Sequence, residues 1–164
     1  MIITPRFIAD TMLGSLAKWL RIMGLDTTYY RAIDDRDLVK KAKQEQRILL
    51  TRDSGLCSSK MIGKHIFIHS NETMLQLKEV LLSCGITPVQ IQAFKRCPLC
   101  NGILLSVNRR DIFFDIPEHV LQSASAFLKC SDCGKVYWEG SHKIRMDAEI
   151  ESIVKTLESA KGSE

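Results

Sequence analysis

At 164 residues, with 45% apolar and 26% charged residues, the chain can bury one core and is too apolar for wholesale disorder. No uncharged apolar run approaches the ~18 residues of a membrane span, and the opening MIITPRFIAD lacks the features of a secretory signal, so a cytoplasmic protein is expected. The net charge of +4 divides as +5 over residues 1–95, +2 over 96–145 and −3 beyond, which permits a polyanionic partner without requiring one.

In chain order, Phe7–Ala9 reads as a first strand closing on Asp10. A helix is expected from Thr11 to Met23, with Leu13, Leu16, Ala17 and Leu20 at helical spacing and Gly24 as its stop. Thr27–Tyr30 is a second strand, β-branched and aromatic. Asp34 and Asp35 open a helix to about Gln46, and Ile48–Thr51 is a third strand ending near Asp53. A short helix over Gly55–Met61, a strand at Ile66–Ile68 and a helix over Glu72–Cys84 complete this part. Alternating strands and helices with continuously apolar strands predict an α/β fold with a parallel sheet covered on both faces. Beyond residue 95 the character changes: strands at Ile103–Val107 and Lys135–Trp138, a short helix after Pro117, and a final helix over Ala148–Ser159. Its stripe of Ile150, Ile153, Val154 and Leu157 needs a surface to dock on, most simply the α/β body. Three regions are expected: 1–95, 96–145 and 146–164.

Four of the six cysteines form two identical pairs, Cys97-Pro-Leu-Cys100 and Cys130-Ser-Asp-Cys133. Two residues between thiols let a tight knuckle aim both sulfurs at one ion, and two knuckles make a closed tetrahedral Cys₄ shell, so a structural zinc is expected. Turn formers follow each pair, Asn101-Gly102 and Gly134. The long segment between the pairs requires an inserted hairpin and short helix. Cys57 and Cys84 lack partners and read as core cysteines.

Ligands of open α/β sheets bind outside the carboxyl ends of the strands. Asp10, Asp34/Asp35 and Asp53 map to that edge. Clustered carboxylates are tolerable around a hard divalent cation, Mg²⁺ or Mn²⁺, which suits phosphodiester hydrolysis. Each acid has an equally simple role as a helix cap. Lys18 and Arg21 share a helix face with Gly14 and suit phosphate contacts or an ordinary solvated face; Arg52, beside Asp53, has the same two readings. Lys129, Lys135 and Lys143 make the cysteine-bearing part basic; Tyr137 and Trp138 suit base stacking or packing, and His142 suits an RNA contact, proton transfer or a cap.

The stretches FIADTMLGSLAKWLRIMGLDTTYY, DDRDLVKKAKQEQRILLTRD, RCPLCNG and CSDCGKVYWEGSH together resemble the PIN-like ribonuclease domain with a C-terminal zinc ribbon, known from the C-terminus of the Mut-seven exonuclease. The resemblance spans about residues 6–145. It implies a three-layer α/β/α core and an acidic, metal-dependent ribonuclease site. Asp10 matches the first-strand acid, Asp35 or Asp34 the helix-opening acid, Thr51 and Asp53 the TxD motif, and Cys97, Cys100, Cys130 and Cys133 the ribbon ligands. A fourth acid is not evident; Asp37 falls toward solvent. The leading expectation is a ribonuclease with Asp10, Asp35 and Asp53 around Mg²⁺ or Mn²⁺. Its rivals are a non-catalytic module on ribosomal RNA or tRNA, and an interaction domain recruiting a protein through the acidic terminal helix.

Overall fold

A computed structural model describes residues 4–58 and 63–161. Four parallel strands, β1 (Phe7–Ala9), β2 (Thr27–Tyr29), β3 (Ile48–Thr51) and β4 (His65–Phe67), form a sheet ordered β2-β1-β3-β4. The alternation of side chains along a strand decides the layers. Phe7, Ala9 and Leu50 point into a large core with α1 (Gly14–Ile22) and α4 (Thr73–Ser83), while Ile8 and Leu49 meet α2 (Asp35–Gln44) and α3 (Ser54–Cys57) on the other face. The three-layer α/β/α arrangement is as expected. Part of the helix expected over Gly55–Met61 lies outside the described residues.

The expected helix from Thr11 is in fact two pieces, a tight 3₁₀ turn over Thr11–Leu13 and then α1. The Tyr29 hydroxyl donates to the Thr11 carbonyl at 3.0 Å and lies where a side chain on Gly14 would project, 2.9 Å from an added Cβ. At the far end Gly24 adopts φ +87°, and the 91–95 segment clasps the helix terminus through bonds from Gln92 N–H to Met23 O and Phe94 N–H to Ile22 O.

The second sheet is antiparallel, β5 (Leu104–Ser106), β6 (Phe127–Cys130) and β7 (Val136–Trp138) in that order. Strand β6 is additional to the strands expected here. The insertion between the knuckles holds a 3₁₀ turn at Arg109–Ile112 and α5 (Glu118–Ser123) over a small core including Ile112, Val120, Leu121 and Phe127.

The last helix, α6 (Ser141–Lys161), begins seven residues before the expected start. Its first turns carry little apolar periodicity, and Ile144 there is exposed. From Met146 onward the stripe is spent on the body: Ile150, Ile153 and Leu157 join the core of α1 and α4. Among the described residues no helix is long and apolar enough to cross a membrane. Cys84 packs at the margin of the main core, but Cys57 is only half-buried beside Asp53 and is not a core residue.

Candidate active edge and four-cysteine centre

The strand order reverses between β1 and β3, and this is where the crevice of an open sheet lies. Asp10 and Thr51 meet there. Thr51, fully buried, donates its hydroxyl to Asp10 Oδ2 at 2.7 Å and accepts from the Asp53 amide at 3.0 Å. The Thr11 hydroxyl donates to Asp10 Oδ1 at 3.1 Å. Asp10 is 6% exposed and stands at the start of the 3₁₀ turn, yet its side chain caps nothing. The cap reading fails for this residue.

It holds for two others. Asp34 accepts from the Asp37 amide at 3.0 Å, and Asp53 Oδ1 accepts from the Leu56 amide at 3.0 Å. Asp35 is exposed in the first turn of α2. The carboxylates thus share one edge without converging: among the described residues, the four cysteines are the group of three or more whose ligand atoms lie within 4.8 Å of one another. A shallow hollow lined by Thr11, Tyr30, Arg31, Asp34, Asp37 and Lys41 opens on this edge.

The cysteines are positioned to bind a metal ion. Four Zn–S bonds of ~2.3 Å at tetrahedral angles place sulfurs ~3.8 Å apart. The observed separations are 3.7 Å for Cys97–Cys133 and 3.4 Å for Cys100–Cys130. Asn101 takes the left-handed turn of the first knuckle at φ +74°, and Gly134 that of the second at +72°. Gly102 serves a different purpose from the expected turn: a Cβ on it would meet Cys130 Sγ at 2.8 Å and the Asp132 carboxylate at 2.6 Å. Tyr137 is bound here and not free to stack, with its hydroxyl 3.1 Å from Cys97 Sγ.

Arg21 corrects the sequence reading. It is 5% exposed, and its guanidinium donates to the carbonyls of Thr27 (2.7 Å), Pro98 (3.1 Å) and Leu99 (3.0 Å). Helix α1 points this position inward, toward the first knuckle, so the charge braces the metal module and is not presented to a phosphate. Burial lowers its pKa, against the pull of the Cys100 and Cys97 thiolates. Beside it Asn101 accepts from the Thr27 amide at 3.0 Å and donates to Asp26 at 2.8 Å. Asp26 also pairs with Arg47 at 2.6 Å and, more loosely, with Arg6 and Arg96. Nothing in the sequence marked this hub, because its members lie far apart along the chain.

Burial would raise the Asp26 carboxyl, but hydrogen bonds from Arg47 and Asn101 and the arginine charges outweigh it and hold it below its ordinary value. A depressed folded-state value contributes stability above the ordinary carboxyl pKa of about 4 and loses it as pH falls through the folded-state value. Thermal melts should therefore show destabilisation on acidification below pH ~4. Asp26→Asn should cost on the order of 2 kcal/mol at neutral pH and flatten that acid dependence. An unaltered acid profile in the variant would show that the hub does not couple to folding.

Four residues suggested for RNA contact do converge. Lys18, Lys135, Trp138 and His142 line one groove of about 770 Å³ between α1, β7 and the start of α6, floored by Ile22, Phe94 and Leu128. Trp138 is 40% exposed there. The ammonium groups of Lys18 and Lys135 have no acidic partner among the described residues, whereas Lys143 pairs with Asp147 and Glu139 over the Phe94 ring. Lys129 is also spent, on Asp115. Arg52 hydrogen-bonds Asn71. The groove meets α1 at Lys18 and Ile22 and the metal module meets it at Arg21, whereas Asp10 lies before the N-terminal end of that helix.

A three-layer body on a parallel sheet, with a buried acid at its switch point, defines the class: an open α/β domain carrying a ribbon with four cysteines positioned to bind a metal. The chain belongs to the Mut7-C RNAse domain family, whose model matches residues 5–150. No curated protein and no solved structure matches the chain.

Proposed function

We propose that the protein is a divalent-metal-dependent ribonuclease that hydrolyses RNA phosphodiester bonds at the carboxyl edge of its parallel sheet. The observation that carries this reading is Asp10: a nearly buried carboxylate at the switch point, free of capping duty and oriented by two hydroxyls. Burying an acid at such cost has its simplest explanation in a ligand that the acid serves. Asp10, Asp35 and Asp53 are the donors for Mg²⁺ or Mn²⁺. An ion held by carboxylates that do not converge would keep several of its waters, and it would supply an activated water and charge neutralisation. Thr51 positions Asp10 and the Asp53 backbone. Zinc is assigned to the four cysteines, and free thiols in this number suit a reducing, cytoplasmic setting.

The RNA strand runs from the acidic edge along α1 to the groove. There Lys18 and Lys135 neutralise phosphates, His142 adds a polar contact and Trp138 stacks on a base. Arg52 lies beside the acids within reach of the same backbone. Incubation of zinc-loaded protein with labelled single-stranded and hairpin RNA in Mn²⁺, Mg²⁺ or EDTA tests this. Cleavage in the metal arms alone is expected, with Lys18→Ala/Lys135→Ala weakening RNA binding about 10-fold or more and lowering its salt dependence.

The capping roles of Asp34 and Asp53 favour a second reading, an RNA-binding module without catalysis. Retained, salt-sensitive RNA binding with no cleavage in any arm would select it.

A further inference from the structure

Strand β4 also delivers a reactive group to the carboxyl edge. The β3–β4 ladder pairs Thr51 with Phe67 and continues through the bond from Ile68 N–H to the Thr51 carbonyl at 2.8 Å. His69 is the next residue. Adjacent strands lie about 4.8 Å apart, so the His69 backbone lies at the same sheet edge as the strand end that leads to Asp53, with its imidazole turned toward α4. The Arg52–Asn71 contact ties the two loops together.

The imidazole is held by Glu79 of α4. One Glu79 oxygen lies 2.7 Å from His69 Nδ1, and the carboxylate also accepts from the His69 amide at 3.0 Å and the Ser70 amide at 3.4 Å. Burial would raise the Glu79 carboxyl, but these hydrogen bonds from His69 and Ser70 outweigh it and keep it low, hence ionised. An ionised carboxylate only accepts, so Nδ1 carries the proton and Nε2 faces outward. The side chain of His69 is 78% exposed. An ion pair so exposed contributes little to stability, and the backbone amides already secure the loop. What the third bond adds is aim, with the Phe67 ring packed edge-on at 5.0 Å restricting the imidazole further.

Resting on the ribonuclease reading, we propose that His69, positioned by Glu79, is the general acid that protonates the leaving ribose oxygen. A water oxygen forms its bond to phosphorus and releases a proton to solvent, and the bond from phosphorus to the leaving oxygen breaks. That oxygen takes the Nε2 proton of the imidazolium, leaving neutral imidazole with Nδ1–H still on Glu79; solvent then reprotonates Nε2.

The test compares wild type, His69→Asn, Glu79→Gln and Asp10→Asn on ordinary RNA and on RNAs with sulfur at either bridging position of the scissile phosphate. A thiolate leaves without a proton, so a missing acid no longer matters. His69→Asn retains an amide donor for Glu79, and melting temperatures check the fold. It should lose about 100-fold in kcat on ordinary RNA, keep RNA affinity, and recover on one of the two sulfur substrates. Glu79→Gln should lose less and recover likewise. Asp10→Asn should fail on all three. A His69→Asn rate equal to wild type, or a deficit identical on every substrate, overturns the assignment while leaving the nuclease intact. Full activity in Asp10→Asn overturns the nuclease reading itself, and this proposal with it.

Discussion

Replacing Asp10 with asparagine should reduce RNA cleavage at least ~100-fold with little change in stability. The two effects separate for a structural reason. Asparagine keeps an oxygen that accepts the Thr51 hydroxyl, and the Thr11 hydroxyl can turn to meet the amide, so the buried polar network remains satisfied. What is lost is the negative charge at the switch point. That charge is expensive at 6% exposure, so the melting temperature should hold or rise, as expected where function is maintained against stability. Cleavage assays and thermal melts on the same preparation check both parts. A folded variant that cleaves at the wild-type rate would remove Asp10 from the chemistry and move the protein to the RNA-binding reading.

Loss of the cysteine-bound metal should be the largest stability effect, at least about 4 kcal/mol on the ribbon. The reason lies in the core around the knuckles, which is just Cys97, Leu104 and Cys130 with Leu128 and Tyr137 at its margin. Too little apolar area is buried there to hold the two knuckles, and the separate cluster of Ile112, Val120, Leu121, Phe127 and Val136 packs the inserted segment instead. The thiols alone also oppose one another. Against burial, the Tyr137 hydroxyl and the amides of Cys100 and Leu99 hold Cys97 down to about 7, whereas burial and the neighbouring sulfurs push Cys100 up to about 12. A cation relieves that conflict by accepting all four as thiolates. Chelation, or Cys130→Ser, should split thermal unfolding into an early ribbon transition and a later body transition. Helix α6 should report with the body, since Ile150, Ile153 and Leu157 belong to its core. A single unshifted transition after verified metal removal would show that the cysteines are not what holds the ribbon.

The layered α/β body, the knuckle pairs and the strand-end acids were legible in the sequence because each depends on local spacing. Continuous apolar strands such as Phe7–Ala9 and Ile48–Thr51 specify a sheet buried on both faces, and two thiols two residues apart specify a ligand pair whatever lies around them. Short-range pattern could not assign work among chemically identical side chains. Asp10, Asp34 and Asp53 all follow strands, yet two cap helices and one does not, because only Asp10 faces the hydroxyl of Thr51, 41 residues away. Arg21 and Lys18 share a helix, but the packing of α1 against the first knuckle buries one and leaves the other at the groove rim. The Asp26 hub, the His69–Glu79 pair and the reach of α6 back to the body likewise join elements that periodicity cannot pair. Sequence fixes which groups are present and which face of an element they favour. Which of them meet, and so which charge is braced, buried or left for a substrate, depends on how the elements dock.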